Sequence, residues 1–519
     1  MTSVSSTSTT PTNWEFNAGG GSRWYSADRD RIFGVNAYYD GRKTATTFFN
    51  QIGVGVESLG KYVDFRANGY AVVGPNSSVI GYNNPTFRGS NIVLDTLIEN
   101  ALSGFDFEIG TPIPFLERWD TRAFVGHYHY AAEQGLDVSG VRVRLEANVN
   151  HNMSLYFAAQ HDAVLRTTVS GGIALNFGGR KVCREQRGTA DRLDARVVRD
   201  VNIVSYNPDP EEATRVTATD PTTGQPIVVR HANSAAAAGG DGTVEKPFNT
   251  LADLQNGSAP TNILLLHANS TFVNPALKLK NCQRLLGEGI NHTFTSTTGT
   301  FNLPRATTGT TPPLLNLFTG GFAVTLAQDN EVSGLSYQSP NGFNGFILGS
   351  ANLGTFDINR NITTGLFSSQ SIHIGNATGN GVIRDNTIGG GGTGINVVGN
   401  HNQLRLLIEN NQITAVSIGV NVVPNGGTSF VSIRDNKFTS AVSAQDFQFS
   451  GTHTLQLRNN SGTGAFPLTQ RGGVFNLEID IGTNPAPFIT PGTILNTTPI
   501  PSTVSGTINL VPAGSAGFP

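Results

Sequence analysis

Two cysteines among 519 residues, Cys183 and Cys282, are too few for a disulfide framework, and neither has neighbours at metal-ligand spacing. Charge is scarce as well. Only 14% of residues carry it, in no long run of one sign, and the formal net charge of -3 predicts no nucleic-acid partner. No apolar stretch reaches the roughly 18 residues of a transmembrane helix, so a β-barrel is the one membrane-spanning form left. Met1 to Thr12 is rich in Ser and Thr and has neither the basic leader nor the apolar centre of a secretory signal, so residues 1–12 are expected to be disordered, with no visible export signal. What is abundant is glycine. Its 61 residues, with so little charge, point to β-structure with many turns.

One phrase returns at a fixed step in the C-terminal half. Ile383-Arg384-Asp385-Asn386-Thr387-Ile388, Ile408-Glu409-Asn410-Asn411-Gln412-Ile413 and Ile433-Arg434-Asp435-Asn436-Lys437-Phe438 place Asn386, Asn411 and Asn436 25 residues apart. Asn361 precedes them by 25 and Asn460 follows by 24. Gly394-Ile395-Asn396-Val397 and Gly419-Val420-Asn421-Val422 keep the same interval. Each phrase alternates apolar and polar residues and is flanked by Gly, Ser, Thr and Asn, which is strand and turn rather than helix. A repeat of this kind winds as a parallel β-helix, with the asparagines stacked as a ladder at the turns, where Asn bonds neighbouring backbone and tolerates left-handed conformations. At 25 residues per coil, residues 231–515 would make about eleven coils.

The N-terminal half carries a different pattern. Between Trp14 and Phe177 run segments of about ten residues that alternate in polarity between turn residues, a length suited to crossing a bilayer as strands. Ile32 to Tyr39, Tyr62 to Tyr70, Ala123 to Tyr130 and Val141 to Val149 are examples. In the last, Arg142, Arg144, Glu146 and Asn148 share one face, and Val141, Val143, Leu145, Ala147 and Val149 share the other. A soluble antiparallel sandwich would also alternate. Tyr38, Tyr39, Tyr70, Trp119, Tyr128 and Tyr130 lie near segment ends, where an interfacial aromatic girdle is expected.

Both halves resemble known families. Gly239-Gly240-Asp241-Gly242-Thr243-Val244-Glu245-Lys246-Pro247-Phe248-Asn249-Thr250-Leu251, the strand Asn262 to Leu266, Leu285-Leu286-Gly287-Glu288-Gly289 and the repeats resemble the right-handed parallel β-helix, or pectin-lyase-like, superfamily. Phe33-Gly34-Val35-Asn36-Ala37-Tyr38-Tyr39-Asp40, Gln51 to Glu57, Val63 to Tyr70, Gly104 to Gly110 with Pro114, and Val125 to Tyr130 resemble, in order, the inverse autotransporter β-domain of the intimin/invasin type. Ala195 to Val204 is similar to that family's post-barrel segment. The resemblances imply an all-β protein, an antiparallel transmembrane barrel followed by a parallel β-helix. The expected division is a disordered 1–12, a barrel over 13–180, a linker and post-barrel segment over 181–230, and a passenger over 231–515. About nine strand candidates are visible, an odd number and fewer than the family's barrels close with, so the chain is expected to lack its first strands or to form a degenerate barrel. Between barrel and passenger, Arg180, Lys181, Arg184, Arg187, Arg192, Arg196 and Arg199 are basic. Such arginines suit luminal carboxylates, or equally a solvated linker.

A β-helix serves either carbohydrate chemistry or passive recognition. Chemistry needs paired carboxylates, or acids on calcium with a basic partner. Between residues 331 and 470 the acids are Glu331, Asp357, Asp385, Glu409, Asp435 and Asp446, and the one lysine is Lys437. The ladder Asn361, Asn386, Asn411, Asn436 and Asn460 accounts for most of these structurally. Glu409 falls between Arg384 and Arg434 on adjacent coils, as an ion-pair ladder, and Asp385 and Asp435 occupy equivalent turns two coils apart. Asp385, Glu409 and Asp435 are therefore a weak candidate site. His373 and His401 are expected to be surface turn residues. No nucleophile triad, phosphate loop or metal-spaced cluster is present, so no catalytic residue, metal or cofactor is assigned. The resemblance implies an outer-membrane-anchored, surface-displayed protein, an adhesin or recognition protein without enzymatic activity. Its partners would be outer-membrane lipid, the barrel-assembly machinery and an extracellular glycan or a host or neighbouring cell surface. Alternatives are a cell-surface polysaccharide lyase or hydrolase, and a truncated, non-functional family member.

Overall fold

The structure, a computed structural model, describes residues 14–116, 119–132, 137–149, 153–164, 166–175, 188–206, 215–340, 344–365, 370–390, 392–414, 417–465, 468–470, 474–480 and 505–511. Residues 1–12 and Cys183 lie outside them. Two compact units emerge, Met1–Asn83 with Asp95–Arg215, and Asn84–Leu94 with Val216–Pro519. Residues 84–94 thus belong with the C-terminal unit, which a linear division of the sequence does not anticipate.

From residue 14 to residue 175 the strands are β1 (Trp14–Ser26), β2 (Arg31–Lys43), β3 (Phe48–Gly60), β4 (Asp64–Val73), β5 (Ser77–Arg88), β6 (Asn91–Ala101), β7 (Ser103–Pro112), β8 (Arg122–Ala131), β9 (Asp137–Asn148), β10 (Met153–Asp162) and β11 (Arg166–Leu175), all in the first unit except the part of β5 and β6 within residues 84–94. Nine of them form one antiparallel sheet in the order β1-β2-β3-β4-β7-β8-β9-β10-β11. It is a half-barrel. β5 and β6 pair with each other outside it, so β4 pairs directly with β7. The burial along each strand decides between sandwich and barrel. On β3, Ile52, Val54 and Val56 are exposed while Gln51 and Glu57 are buried. On β9, Val141, Val143 and Leu145 are exposed and Arg144 is buried. A soluble sheet buries its apolar face; here the polar face is covered and the apolar one bare, as a strand in lipid requires.

The aromatic girdle needs correction on that ground. Tyr39 and Trp119 are exposed, but Tyr70, Tyr128 and Tyr130 are buried on the polar face. Their hydroxyls bond Asp106 (2.7 Å), Asp162 (2.6 Å) and Asp200 respectively. The cause is the period of two: Tyr70 lies at even spacing from Arg66 and Asn68 and must share their side.

The second unit is a parallel β-solenoid of about 7 turns. One wall stacks Val229–Ala232, Ile263–Leu266, Arg284–Gly287 and Glu331–Ser333, then the C-terminal parts of the long strands Asn344–Asn359, Gln370–Arg384, Thr393–Glu409 and Ile418–Arg434. A second wall runs through Thr271–Val273, Leu314–Asn316, Ser336–Gln338, Ile362–Thr364, Thr387–Gly389 and Gln412–Thr414. A third uses Leu277–Lys278, Gly321–Thr325 and the N-terminal parts of the long strands. Even division by 25 overstates the complete turns, because early coils differ in length: the paired residues Arg284 and Glu331 are 47 apart in sequence. The repeat places Ile358, Ile383, Ile408 and Ile433 in register at the centre, each with 0% exposure, contributing about 1.5–3 kcal/mol of burial apiece. Near the N-terminal end, helix α1 (Leu251–Gly257) is capped by Thr250, which accepts from the Asp253 amide at 3.1 Å, and buries Leu251 and Leu254.

Candidate functional site

The repeated turn divides its work between two residues. Arg360, Asp385, Asn410, Asp435 and Asn459 have φ of 53°, 57°, 52°, 57° and 47°, so the left-handed position precedes the ladder residue. Asp and Asn bear that conformation at little cost. The ladder asparagines instead point inward and are buried. From Asn386 on, each accepts from both nitrogens of the one before: Asn361 donates from its backbone and from Nδ2 to Asn386 Oδ1, both at 3.0 Å, and Asn386 repeats this to Asn411. Asn411 donates likewise to Asn436 (2.9 and 3.0 Å), and Asn436 to Asn460 (3.1 and 3.0 Å). Nδ2 also bonds a carbonyl one coil back, Ile358 for Asn386 and Ile383 for Asn411, both at 2.9 Å.

The three acids do not converge. Asp385 accepts from Asn410 Nδ2, and Asp435 from Asn459 Nδ2 at 2.7 Å. Glu409 pairs with Arg434 at 2.7 Å, whereas Arg384 reaches back to Asp357 at 2.8 Å and lies 3.5 Å from Asp385, so Glu409 is bridged to one of its two flanking arginines and the ion ladder is interrupted. Among the described residues no group of three or more His, Cys, Asp or Glu side chains is arranged to hold a metal. His373 and His401 lie in strands, not surface turns. His401 is fully buried, 3.2 Å from the Ala377 carbonyl, and burial holds its pKa below the ordinary value. His373 bonds Asn396 at 3.1 Å.

A third cluster has no sequence signal, because its members are far apart in the chain. His231 and His267 are buried, Nδ1 to Nε2 at 3.1 Å, and the Phe87 ring meets the His231 ring edge-on at 4.5 Å between centroids. Glu288, also buried, accepts from the Ala268 and Thr307 amides at 3.1 and 3.0 Å.

On the polar face of the half-barrel, the post-barrel segment is tied down by its arginines. Arg199 chelates Asp40 (2.8 and 2.5 Å) and bonds Asn17 (2.6 Å), with its guanidinium 4.2 Å from the Tyr38 ring centroid. Arg192 grips Asp64 at 2.9 and 2.5 Å, and Arg196 lies over Tyr156. Asp200 takes Arg142 at 2.9 Å, and Arg23 bonds the carbonyls of Leu193, Ala195 and Arg196. Arg192 and Arg199 thus meet carboxylates of the polar face, as one of the two readings of this basic stretch has it, whereas Arg196 meets a tyrosine ring; Arg180, Lys181, Arg184 and Arg187 lie outside the described residues.

The solenoid carries a groove of about 640 Å³ on the bend between its third and first walls. Pairing places Asn380, Arg405, Phe430 and Thr454 in one column and Asn402, Thr428 and Thr452 in another. Among the described residues no carboxylate lines it. Arg405 lies 5.3 Å from the Phe430 ring centroid.

Residues 5–157 match the family model described as inverse autotransporter, beta-domain. That domain implies an outer-membrane location, so the molecule combines an outer-membrane anchor with a β-helical passenger. No curated protein matches. A solved structure described as "Unveiling the Mechanism Behind the in-meso Crystallization of Membrane Proteins" is similar at 14% identity over 38% of this chain and 81% of its own, with a TM-score of 0.28.

Proposed function

We propose that the protein is a surface-displayed adhesin or recognition protein, held by the barrel strands and exposing a solenoid of pectin-lyase-like type outside the cell. The groove carries this reading. It offers hydroxyl, amide, guanidinium and aromatic groups stacked from coil to coil, a surface for binding, and among the described residues lining it there is no carboxylate of the kind glycoside chemistry demands. Asp385 and Asp435, the alternative acid pair, have carboxylates already accepting from neighbouring asparagines. Lipid meets the bare apolar face of the strands, the barrel-assembly machinery inserts them, and a glycan or cell surface meets the solenoid. The test is outer-membrane fractionation with external protease on intact cells. Loss of the chain beyond Arg215, with a barrel fragment that changes gel mobility on boiling, is expected. A solenoid protected from protease on intact cells would sink the proposal.

A further inference from the structure

We propose that residues 84–94 are the template on which the solenoid folds, the first coil forming against them and each later coil on the one before; the inference concerns how the solenoid is made and goes beyond what it recognises.

The first strand of a parallel solenoid would present a row of unpaired backbone N–H and C=O groups, and a single coil cannot bury its apolar face alone. Here that strand, Val229–Ala232, pairs with Ile263–Leu266 on one side. On its other side Asn91 bridges Val228 in antiparallel fashion, and the Ser90 carbonyl accepts from the Val229 amide at 2.8 Å. Further along the same edge, the His231 amide donates to the Gly242 carbonyl (3.0 Å) and the His231 carbonyl accepts from the Phe248 amide (2.9 Å). Gly89 holds this second segment in place: its carbonyl accepts from the Val244 amide at 3.0 Å, and its amide donates to Glu245 Oε1 at 3.2 Å. Side chains reinforce the backbone. Arg230 donates to Ser90 Oγ at 3.1 Å, the Phe87 ring packs edge-on against His231, and Ile92 and Leu94 are fully buried. Residues 89–91 therefore complete the edge of the first wall with a stretch that is not itself a coil.

The order of formation follows from separation along the chain. β5 and β6 are consecutive strands that pair with each other, and a hairpin of that kind closes in microseconds. Joining the first two coils instead brings together residues 36 apart, such as His231 and His267, and non-local parallel pairing of this sort is slow. With the hairpin formed first, the first coil meets a ready edge, and stacking between neighbouring coils carries the rest. A template acts on the rate of folding, whereas a lid added after the coils acts on the rate of unfolding.

The test follows the full chain by pulsed hydrogen exchange as it refolds from urea into detergent. Protection of the Val229 and Ile263 amides, which bond Ser90 and Val228, should precede that of Gln412 and Lys437, which bond across the central coils. Gly89 has a φ of 61°, which the fixed φ of proline, about -65°, cannot supply, and Gly89→Pro also removes the bond to Glu245. This variant should slow the appearance of solenoid protection by at least about tenfold and change the unfolding rate by less than about twofold. Phe87→Ala, which leaves the hairpin backbone unaltered, should slow it by at least about threefold. The gel shift on boiling confirms the barrel in each variant; should Gly89→Pro lose that shift, Phe87→Ala decides alone. Central amides protected before or together with Val229 and Ile263, wild-type folding rates in a variant that keeps its barrel, or faster unfolding with folding unchanged would each overturn the inference.

Discussion

Replacing Asn411 by alanine tests whether the buried ladder holds the solenoid together. Its side chain donates to the carbonyls of Ile383 (2.9 Å) and Glu409 (3.0 Å) and to Asn436 Oδ1 (3.0 Å), and accepts from the backbone and side-chain nitrogens of Asn386, both at 3.0 Å. Truncation removes all of these at a site 1% exposed, where water cannot replace them. At about 1–3 kcal/mol for each buried group left unpaired, the Asn386 amide and the Ile383 carbonyl together cost about 2–6 kcal/mol. The neighbouring Asn410→Ala is the internal control. It is exposed and loses the left-handed preference at φ 52°, about 1 kcal/mol, together with a solvent-exposed bond to Asp385 that water can replace. Because coils interact with nearest neighbours, the loss should concentrate locally. The assay is therefore hydrogen exchange at the Asn386 and Gln412 amides, which bond across this turn. A cost of 2 kcal/mol speeds exchange by about thirtyfold. Should Asn411→Ala exchange no faster than Asn410→Ala, the argument that the ladder is a principal source of cohesion is wrong.

Arg199→Ala strands the buried Asp40 carboxylate, an expected cost of about 3–5 kcal/mol, read as a lower temperature for the gel shift of the barrel; adding Asp40→Asn should recover part of it, and an unshifted temperature refutes the tether. Asp385→Asn with Asp435→Asn should change stability by no more than about 0.5 kcal/mol, because Asn410 and Asn459 already hold the same conformation, and a polysaccharide-cleaving activity lost in that variant would reinstate the acid pair. The solenoid should weaken in acid. Burial, then the charges of His267 and Arg230, hold His231 down at about 3 against an ordinary 6.5, and burial likewise lowers His267, opposed by Glu288. The unfolded chain therefore binds protons that the folded one refuses. Stability is full above pH 6.5 and declines through the window down to about 3, at about 1.4 kcal/mol per pH unit for one such group. His231→Phe should flatten the urea midpoint against pH, and an equal slope in both proteins would contradict this.

The coil was legible because a 25-residue step fixes both which residues stack and which face inward. Assigning left-handedness to the asparagine itself missed by one residue, since spacing identifies a turn without saying which of its members bends. Alternation likewise sorted β9 into two faces, but could not say which was covered. The exposed valines and buried Arg144 settle that, and the same parity, applied to Tyr70 against Arg66 and Asn68, would have placed the tyrosine inside. The β5–β6 hairpin alternates too little to announce itself: β5 is half-exposed almost throughout. The His231–His267 contact and the groove were illegible for another reason, as both depend on residues brought together by pairing across coils rather than by any local phrase.

The ladder has an evolutionary corollary. Asn386 accepts from the rung before and donates to the rung after through the same atoms that Asn411 uses. An in-frame duplication or deletion of one cassette therefore rejoins identical surfaces, leaving every amide satisfied. Length becomes a trait that recombination can adjust in whole steps, while the folding rules of each step stay the same.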